Sequence, residues 1–451
     1  MKTLTDLRSF APSVLALLVL SACSSGGGGS ADSSDVDDSA SDVTDVSAPE
    51  GTEDSYTVMI GGNLAIAAAD GVLANDEGDS SSLSAELVDG PARAESFELN
   101  ADGSFSYTPS GDEAGSDTFT YRVVDDNGES DSVLVTISIL DEIAGGCVAY
   151  DAGEIVSGTL TAEGVDSPGF ELISGPSLGT LTAFDEASGQ YTYQRDSDQR
   201  GSDSFTYQVV DGFGEPLGTA TQELIALPYR IMPVGDSITA GVSGRDYDTN
   251  QDLPYDDADR VAYRQYLKES LTDQGYSIDF VGSYEAGGNY FDDVQHNGIP
   301  GAHVSHIDTN ISNWLYQDTA DIILMHIGTN DTPVDDEDMA EVSSVFDQIA
   351  DWDDANDHET QVVMAKIIAR ADYANKIERI PKYNALLDEF IPERQALGDA
   401  VYAVDMYTAM GGADAPYLSN DNLHPSSEGY EVMSEAWEET LIDNGLLRKC
   451  D

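Results

Sequence analysis

Four short polar blocks in the second half of the chain carry residue types suited to breaking an ester. They are Gly235-Asp236-Ser237-Ile238-Thr239, His296-Asn297-Gly298-Ile299-Pro300-Gly301, Gly328-Thr329-Asn330-Asp331 and Asp421-Asn422-Leu423-His424-Pro425. A serine hydroxyl is a weak nucleophile, so it needs a base to take its proton during attack and a third group to orient that base. Ser237 offers the hydroxyl and His424 the base. Asp421, three residues before the histidine, can accept from Nδ1 while Nε2 faces the serine. Taken singly, each block also has an ordinary reading: Gly-Asp-Ser as a turn, Asn330-Asp331 as a cap, Asp421 to His424 as a helix entry before Pro425.

The elements that must position these blocks follow from the apolar pattern. Runs at Ile231–Val234, Ile278–Gly282, Asp321–Ile327, Val362–Ile368 and Val401–Val404 read as buried strands. Between and after them, Val261–Leu271, Val342–Trp352, Lys382–Arg394 and Ser426–Ile442 read as helices. That alternation predicts an α/β domain with a parallel sheet between helix layers. Ligands in such sheets bind beyond the carboxyl ends of the strands, which is where the four polar blocks fall.

In order and content, these blocks resemble those of the SGNH, or GDSL, hydrolase superfamily. The stretch from Arg230 to Asp331, with Tyr263-Arg264, Phe280-Val281-Gly282-Ser283, Asn297-Gly298 and Ile327-Gly328-Thr329-Asn330-Asp331, most resembles carbohydrate esterase family 3, the acetyl xylan esterases. Members often have Glu where this chain has Asn297. The resemblance implies a serine esterase working through an acyl-enzyme, with no metal or organic cofactor. It also implies an oxyanion hole made of the Ser237 and Gly301 backbone N–H groups and the Asn330 amide. Such donors are worth a few kcal/mol each.

Substrate choice rests on loop composition. Asp236, Tyr247, Tyr255, Tyr290 and Tyr417 are candidate substrate contacts, because aromatic rings among polar groups suit a sugar face, although the same tyrosines can simply pack loops. No long apolar lid is present to cover an acyl chain. The expected reaction is deacetylation of O-acetylated polysaccharide. A short-chain esterase, lysophospholipase or thioesterase on the same scaffold is the alternative enzyme, and a carbohydrate-binding adhesin with a non-catalytic hydrolase fold is the alternative outside enzymes. His303 and His306 lack a third ligand at zinc spacing and are expected in surface or supporting roles. His296 is expected in the loop near Gly301, His326 on a strand and His358 in an acidic loop.

The first half is built differently. Gly115-Ser116-Asp117-Thr118-Phe119-Thr120-Tyr121 recurs as Gly201-Ser202-Asp203-Ser204-Phe205-Thr206-Tyr207, and Phe105-Ser106-Tyr107 as Tyr191-Thr192-Tyr193. This is an internal repeat, and its short alternating stretches between Asp-Gly, Asn-Gly and Gly-Pro turns predict two all-β sandwiches, for which the resemblance given next implies the Ig/cadherin-like type. With Gly71-Val72-Leu73-Ala74-Asn75-Asp76, the units resemble the cadherin-like or VCBS-type repeats of bacterial surface proteins. Members often bind calcium near such loops, which makes Asp70, Asp76, Asp125 and Asp126 candidate ligands; their other reading is turn formation.

The 451 residues include 85 acidic and 19 basic side chains, a formal net charge of −66 that excludes a nucleic-acid binder. The acidity is spread along the whole chain, as on a surface kept soluble by self-repulsion. At the start, Lys2 and Arg8 precede an apolar run, Val14–Leu20, too short to span a bilayer. The following Leu20-Ser21-Ala22-Cys23 resembles a bacterial lipobox, which implies lipidation of Cys23, and Ser24 after it implies outer-membrane sorting. Cys147 and Cys450 are then left in an oxidising compartment, either paired as a disulfide or isolated. The expected organisation is a lipoprotein signal peptide at 1–22, a Gly/Ser/Asp linker at 23–53, a cadherin-like sandwich at 54–141, a second sandwich at 142–227 and an SGNH hydrolase domain at 228–451.

Overall fold

The computed structural model describes residues 47–78, 82–197, 199–246, 251–331, 336–372 and 378–450. The leader, Cys23, most of the linker and Tyr247 lie outside these residues. From residue 48 onward the chain clusters as one compact unit.

Two β-sandwiches come first. In each, a three-stranded sheet faces a larger one, and the first strand lies parallel to the last: Asp54–Met59 beside Val133–Leu140, and Gly146–Asp151 beside Pro216–Leu227. Alternation decides which side chains enter the core. Phe119, Tyr121 and Val123 point inward in the first unit, as do Phe205, Tyr207 and Val209 in the second. The repeated Gly-Ser-Asp motif has a structural purpose. Asp117 accepts from the Ala92, Arg93 and Thr118 N–H groups and from the Tyr107 hydroxyl. Asp203 accepts from Ser177, Leu178 and Ser204 N–H and from Tyr193 in the same way. In both units a buried carboxylate thus satisfies the backbone of the loop that follows Gly-Pro, where unpaired donors would be costly.

The third domain is the α/β fold. Its main strands, numbered within the domain, are β1 Tyr229–Gly235, β2 Ile278–Phe280, β3 Gln295–Gly298, β4 Ile322–His326, β5 Gln361–Ala365 and β6 Val401–Val404. The sheet runs β3-β1-β4-β5-β6, all parallel, and β2 shares the β3 edge of β1. Helices that matter for the site and core are α1 Ser237–Ala240, α2 Ala262–Asp273, α3 Val304–Gln317, α4 Asp336–Asn356, α5 Ile380–Leu397 and α6 Ser427–Asp443.

Successive residues of β4 feed opposite faces of the sheet. Ile323 and Met325 pack with Ile307 and Trp314 of α3, Phe346 of α4 and Leu387 of α5. Ile322 and Leu324 pack with Tyr263 and Leu267 of α2 and Trp437 of α6. Strands with both faces covered read as continuous apolar runs, which is why five of them were visible in sequence. β3 was not: Gln295-His296-Asn297-Gly298 has no apolar residue. It pairs because β2 reaches only the first half of β1, leaving Val234 and Gly235 free to bond Asn297 and Gly298.

The contacts that join the second sandwich to the α/β domain include Ile225 of its last strand, buried with Tyr229 and Leu271, a disulfide and a carboxylate. Cys147, on the first strand of the sandwich, forms a disulfide with Cys450 near the chain end, with Cα atoms 5.5 Å apart. The Asp321 carboxylate, just before β4, accepts from Arg200 N–H of the sandwich and Arg230 N–H of β1.

Candidate active site

Ser237 stands at the first position of α1, immediately past the end of β1. Asp236 caps that helix, its Oδ1 accepting from Ile238 N–H at 2.9 Å. Two glycines make the junction possible. A Cβ on Gly235 would meet the His326 carbonyl oxygen at 2.3 Å, and one on Gly298 would meet Ala240 N at 2.5 Å. Both are backbone atoms of neighbouring elements, so any side chain there would push β4 or α1 away.

His424 comes from the loop before α6. Its Nε2 lies 2.8 Å from Ser237 Oγ, and its Nδ1 lies 2.7 Å from Asp421 Oδ2. With Nδ1–H donating to the carboxylate, Nε2 is left as the acceptor for the serine hydroxyl. Asp421 is itself held in place: its Oδ1 accepts from Leu423 N–H, His424 N–H and the Ser419 hydroxyl. Burial opposes its ionisation, but the His424 ring and these backbone donors outweigh burial and hold the carboxyl well below the usual range. A permanently charged, buried acceptor on Nδ1 suits an imidazole that must take a proton.

Gly301 lies in the turn closed by Ala302 N–H to the Ile299 carbonyl, with φ of +80°, and is exposed. Asn330 follows β4 and donates one Nδ2 hydrogen to the Ala302 carbonyl at 3.0 Å. The Ser237 N–H, at the start of a helix, has no intrahelical acceptor. Asp331 fixes the same segment from the other side, accepting from Val304 N–H at the start of α3 and lying 3.4 Å from His303 Nδ1.

Several expected contacts differ. Asp236 is not a substrate contact: it is fully buried, its carboxyl pushed up to about 6 by burial against the Ile238 N–H and Thr329 interactions, and it serves as the α1 cap. His296 is not in a loop near Gly301 but on β3, buried, with Nδ1 accepting from Gly298 N–H. Burial, with Arg264 and Arg260 adding to it, holds its pKa well below the normal value, so it is neutral. Asn297 is also buried and accepts from Ser283 N–H. His326 is on β4, and its Nε2 accepts from Ile368 N–H.

His358 lies in the acidic loop after α4, its side chain buried between Asp321 and Asp353. Tyr255 and Tyr290 are 57% and 58% exposed, whereas Tyr417 packs partly against the core beneath α6. The loops bearing the first two lie together, with Asn289 N–H bonded to the Ala258 carbonyl and Asn289 Nδ2 to Asp259.

Two of the four aspartates offered as calcium ligands are engaged in local hydrogen bonds. Asp125 accepts from Asn127 and Gly128 N–H within its own turn. Asp76 takes the Thr52 N–H and the Tyr121 hydroxyl. Asp70 and Asp126 are exposed. Among the described residues no three His, Cys, Asp or Glu side chains are grouped to hold a metal ion.

The nucleophile, base, carboxylate and donors on strand-end loops define an acyl-transfer site on a parallel α/β sheet. Residues 231–437 match the family described as GDSL-like lipase/acylhydrolase. Residues 46–141 match the bacterial cadherin-like domain, and residues 147–225 match the bacterial Ig domain. The chain therefore carries cadherin-like and Ig domains followed by a GDSL acylhydrolase domain, and it is a serine ester hydrolase.

Similar solved structures include a family 3 carbohydrate esterase of Clostridium thermocellum, 29% identical, covering 49% of this chain and 99% of that one with a TM-score of 0.38. A family 3 carbohydrate esterase of Talaromyces cellulolyticus is 21% identical over 48% of this chain and 98% of its own, TM-score 0.38. A lipase/acylhydrolase of Enterococcus faecalis is 16% identical over 50% and 100%, TM-score 0.36. No curated protein matches the chain.

Proposed function

We propose that this hydrolase removes O-acetyl groups from polysaccharide through an acyl-enzyme on Ser237. The observation that carries the reading is the continuous relay from Ser237 Oγ through His424 to Asp421, at 2.8 and 2.7 Å. In the first half-reaction His424 takes the serine proton as Oγ attacks the acetyl carbonyl. The oxyanion then lies against Ser237 N–H, Gly301 N–H and Asn330, and His424 returns the proton to the departing sugar hydroxyl. Water repeats the sequence to release acetate. Each step uses only groups of the protein, so chelators should leave the rate unchanged.

The polysaccharide assignment is supported by the make-up of two loops that follow the relay's strands. Tyr255 and Tyr290 present exposed rings on two mutually bonded acidic loops. The hairpin Gly244–Asp246 with Gln251–Leu253 is tied to the catalytic loop by Asn420 Nδ2 on the Arg245 carbonyl. Aromatic faces set among polar groups suit sugar rings better than acyl chains. A lipid on Cys23, with the Gly/Ser/Asp linker and the sandwiches as spacer, would hold the enzyme at the bacterial outer membrane facing such material.

The test is acetate release from acetylated xylan by the wild type and Ser237→Ala. Loss of release in the variant is expected. Equal rates would remove the catalytic assignment, and wild-type activity confined to acyl-lipids would replace the substrate class.

A further inference from the structure

Arg370 lies in the segment that follows β5, and nothing in its local sequence marks it. Its side chain is buried, and together with the next residue it links the two arms of the site. Nη1 donates to the Thr329 carbonyl at 2.7 Å, one residue before Asn330. Nε donates to Asp372 Oδ1 at 2.6 Å, and Nη2 donates to Asp372 Oδ2, so the guanidinium plane is fixed by a two-pronged pair. The next residue, Ala371, donates its N–H to the carbonyl of Asn422 at 2.8 Å, inside the Asp421–His424 loop. Asn422 has φ of +56°, an uncommon conformation for a residue with a side chain, and this bond supports it.

The segment before Arg370 is anchored residue by residue. Lys366 N–H bonds the Val404 carbonyl at the end of β6. Ile367 exchanges both backbone bonds with the Asn384 amide of α5. Ile368 N–H reaches His326 at the end of β4. Residues 366–372 therefore form a rigid strut that ends between the Thr329-Asn330 arm and the loop carrying the acid and base.

We infer that Arg370, through its bond to the Thr329 carbonyl and the adjoining Ala371–Asn422 bond, sets the spacing between the Asn330 amide and His424, and so acts as a positioning residue for the transition state. Its charge is balanced by Asp372, so it works through geometry and not by adding positive potential at the oxyanion. The inference rests on the catalytic reading of Ser237, His424 and Asn330. It concerns the reacting geometry, not substrate capture: misplacement by about 1 Å at a reacting centre costs on the order of 10²-fold in rate.

The experiment uses the full chain with Arg370→Met, Arg370→Lys and Asp372→Asn, assayed on p-nitrophenyl acetate, with inhibition by phenylboronic acid measured in parallel. The boronate forms a tetrahedral adduct on the serine and so reports the oxyanion geometry, whereas KM reports capture. Arg370→Met is expected to lower kcat by about 10²-fold, leave KM within a few-fold, and weaken boronate inhibition by the same factor as kcat/KM. Arg370→Lys, which keeps one donor but loses the fork, and Asp372→Asn are expected to fall between it and the wild type. If Arg370→Met does not fold, the two milder variants carry the same comparison. Unchanged kcat, or a loss of kcat with boronate inhibition intact, overturns the inference. Activity retained in Ser237→Ala overturns instead the reading on which it rests.

Discussion

Ser237, His424 and Asp421 act as one unit, so their substitutions should not add. Ser237→Ala is expected to lower kcat by about 10⁴-fold or more. Asp421→Asn should cost on the order of 10⁴-fold by presenting the wrong imidazole tautomer to the serine. Asn330→Ala should cost about 10²- to 10³-fold, with KM changed little, since that amide meets charge only in the transition state. Steady-state kinetics on one acetyl ester checks all three. These residues were legible because each sits in a short polar block, Ser237 and Asn330 just past a strand and Asp421 and His424 just before α6. Arg370 and Asp236 were not. Arg370 bonds a carbonyl far away in sequence, and Asp236 has the type and place of a polar site residue but is consumed by capping α1.

Among the elements, the two sandwiches were readable from a repeated motif whose physical content emerged only with the loop contacts of Asp117 and Asp203. Removing either carboxylate leaves several buried N–H groups unpaired. Asp203→Ala is therefore expected to destabilise its sandwich by about 3 kcal/mol, seen as an earlier melting transition in calorimetry. At Asp117 burial opposes ionisation, but the loop N–H groups outweigh it and lower the pKa. Its contribution is thus present above the unfolded value and lost as pH falls through the lower folded one. In the α/β domain, five strands and four helices could be placed from apolar runs. β3 escaped because its edge pairing is dictated by what β2 leaves open. α3 escaped because its start is set by Asp331 and the His303–His306 pair rather than by a common capping residue.

For the whole molecule, the junction between the Ig domain and the hydrolase depends on Cys147–Cys450 and on Asp321. The disulfide closes a sequence separation of 303 residues. Replacing both cysteines by serine should cost roughly 3 to 5 kcal/mol, read as a lower melting temperature for the domains it joins. His358 adds a pH dependence to this junction. Burial disfavours its charge, but Asp321 and Asp353 outweigh burial and raise its pKa to about 9. The stability it confers is full below the ordinary histidine value of about 6.5 and is lost as pH rises through about 9. His358→Gln should accordingly be less stable than the wild type at pH 6 and differ little from it above pH 9, by denaturant unfolding at each pH. The order of domains was legible from the repeated motif and the polar blocks, and Asp353 lies only five residues before His358, but nothing local in sequence brings Asp321 to its other side.

The acyl-enzyme itself is the most direct test. The full chain, quenched with acid during turnover of acetylated xylan and mapped by mass spectrometry, should carry an acetyl group on Ser237, and His424→Ala should not. Undiminished acetate release by Ser237→Ala, with no acetylated Ser237 in the wild type, would contradict the account.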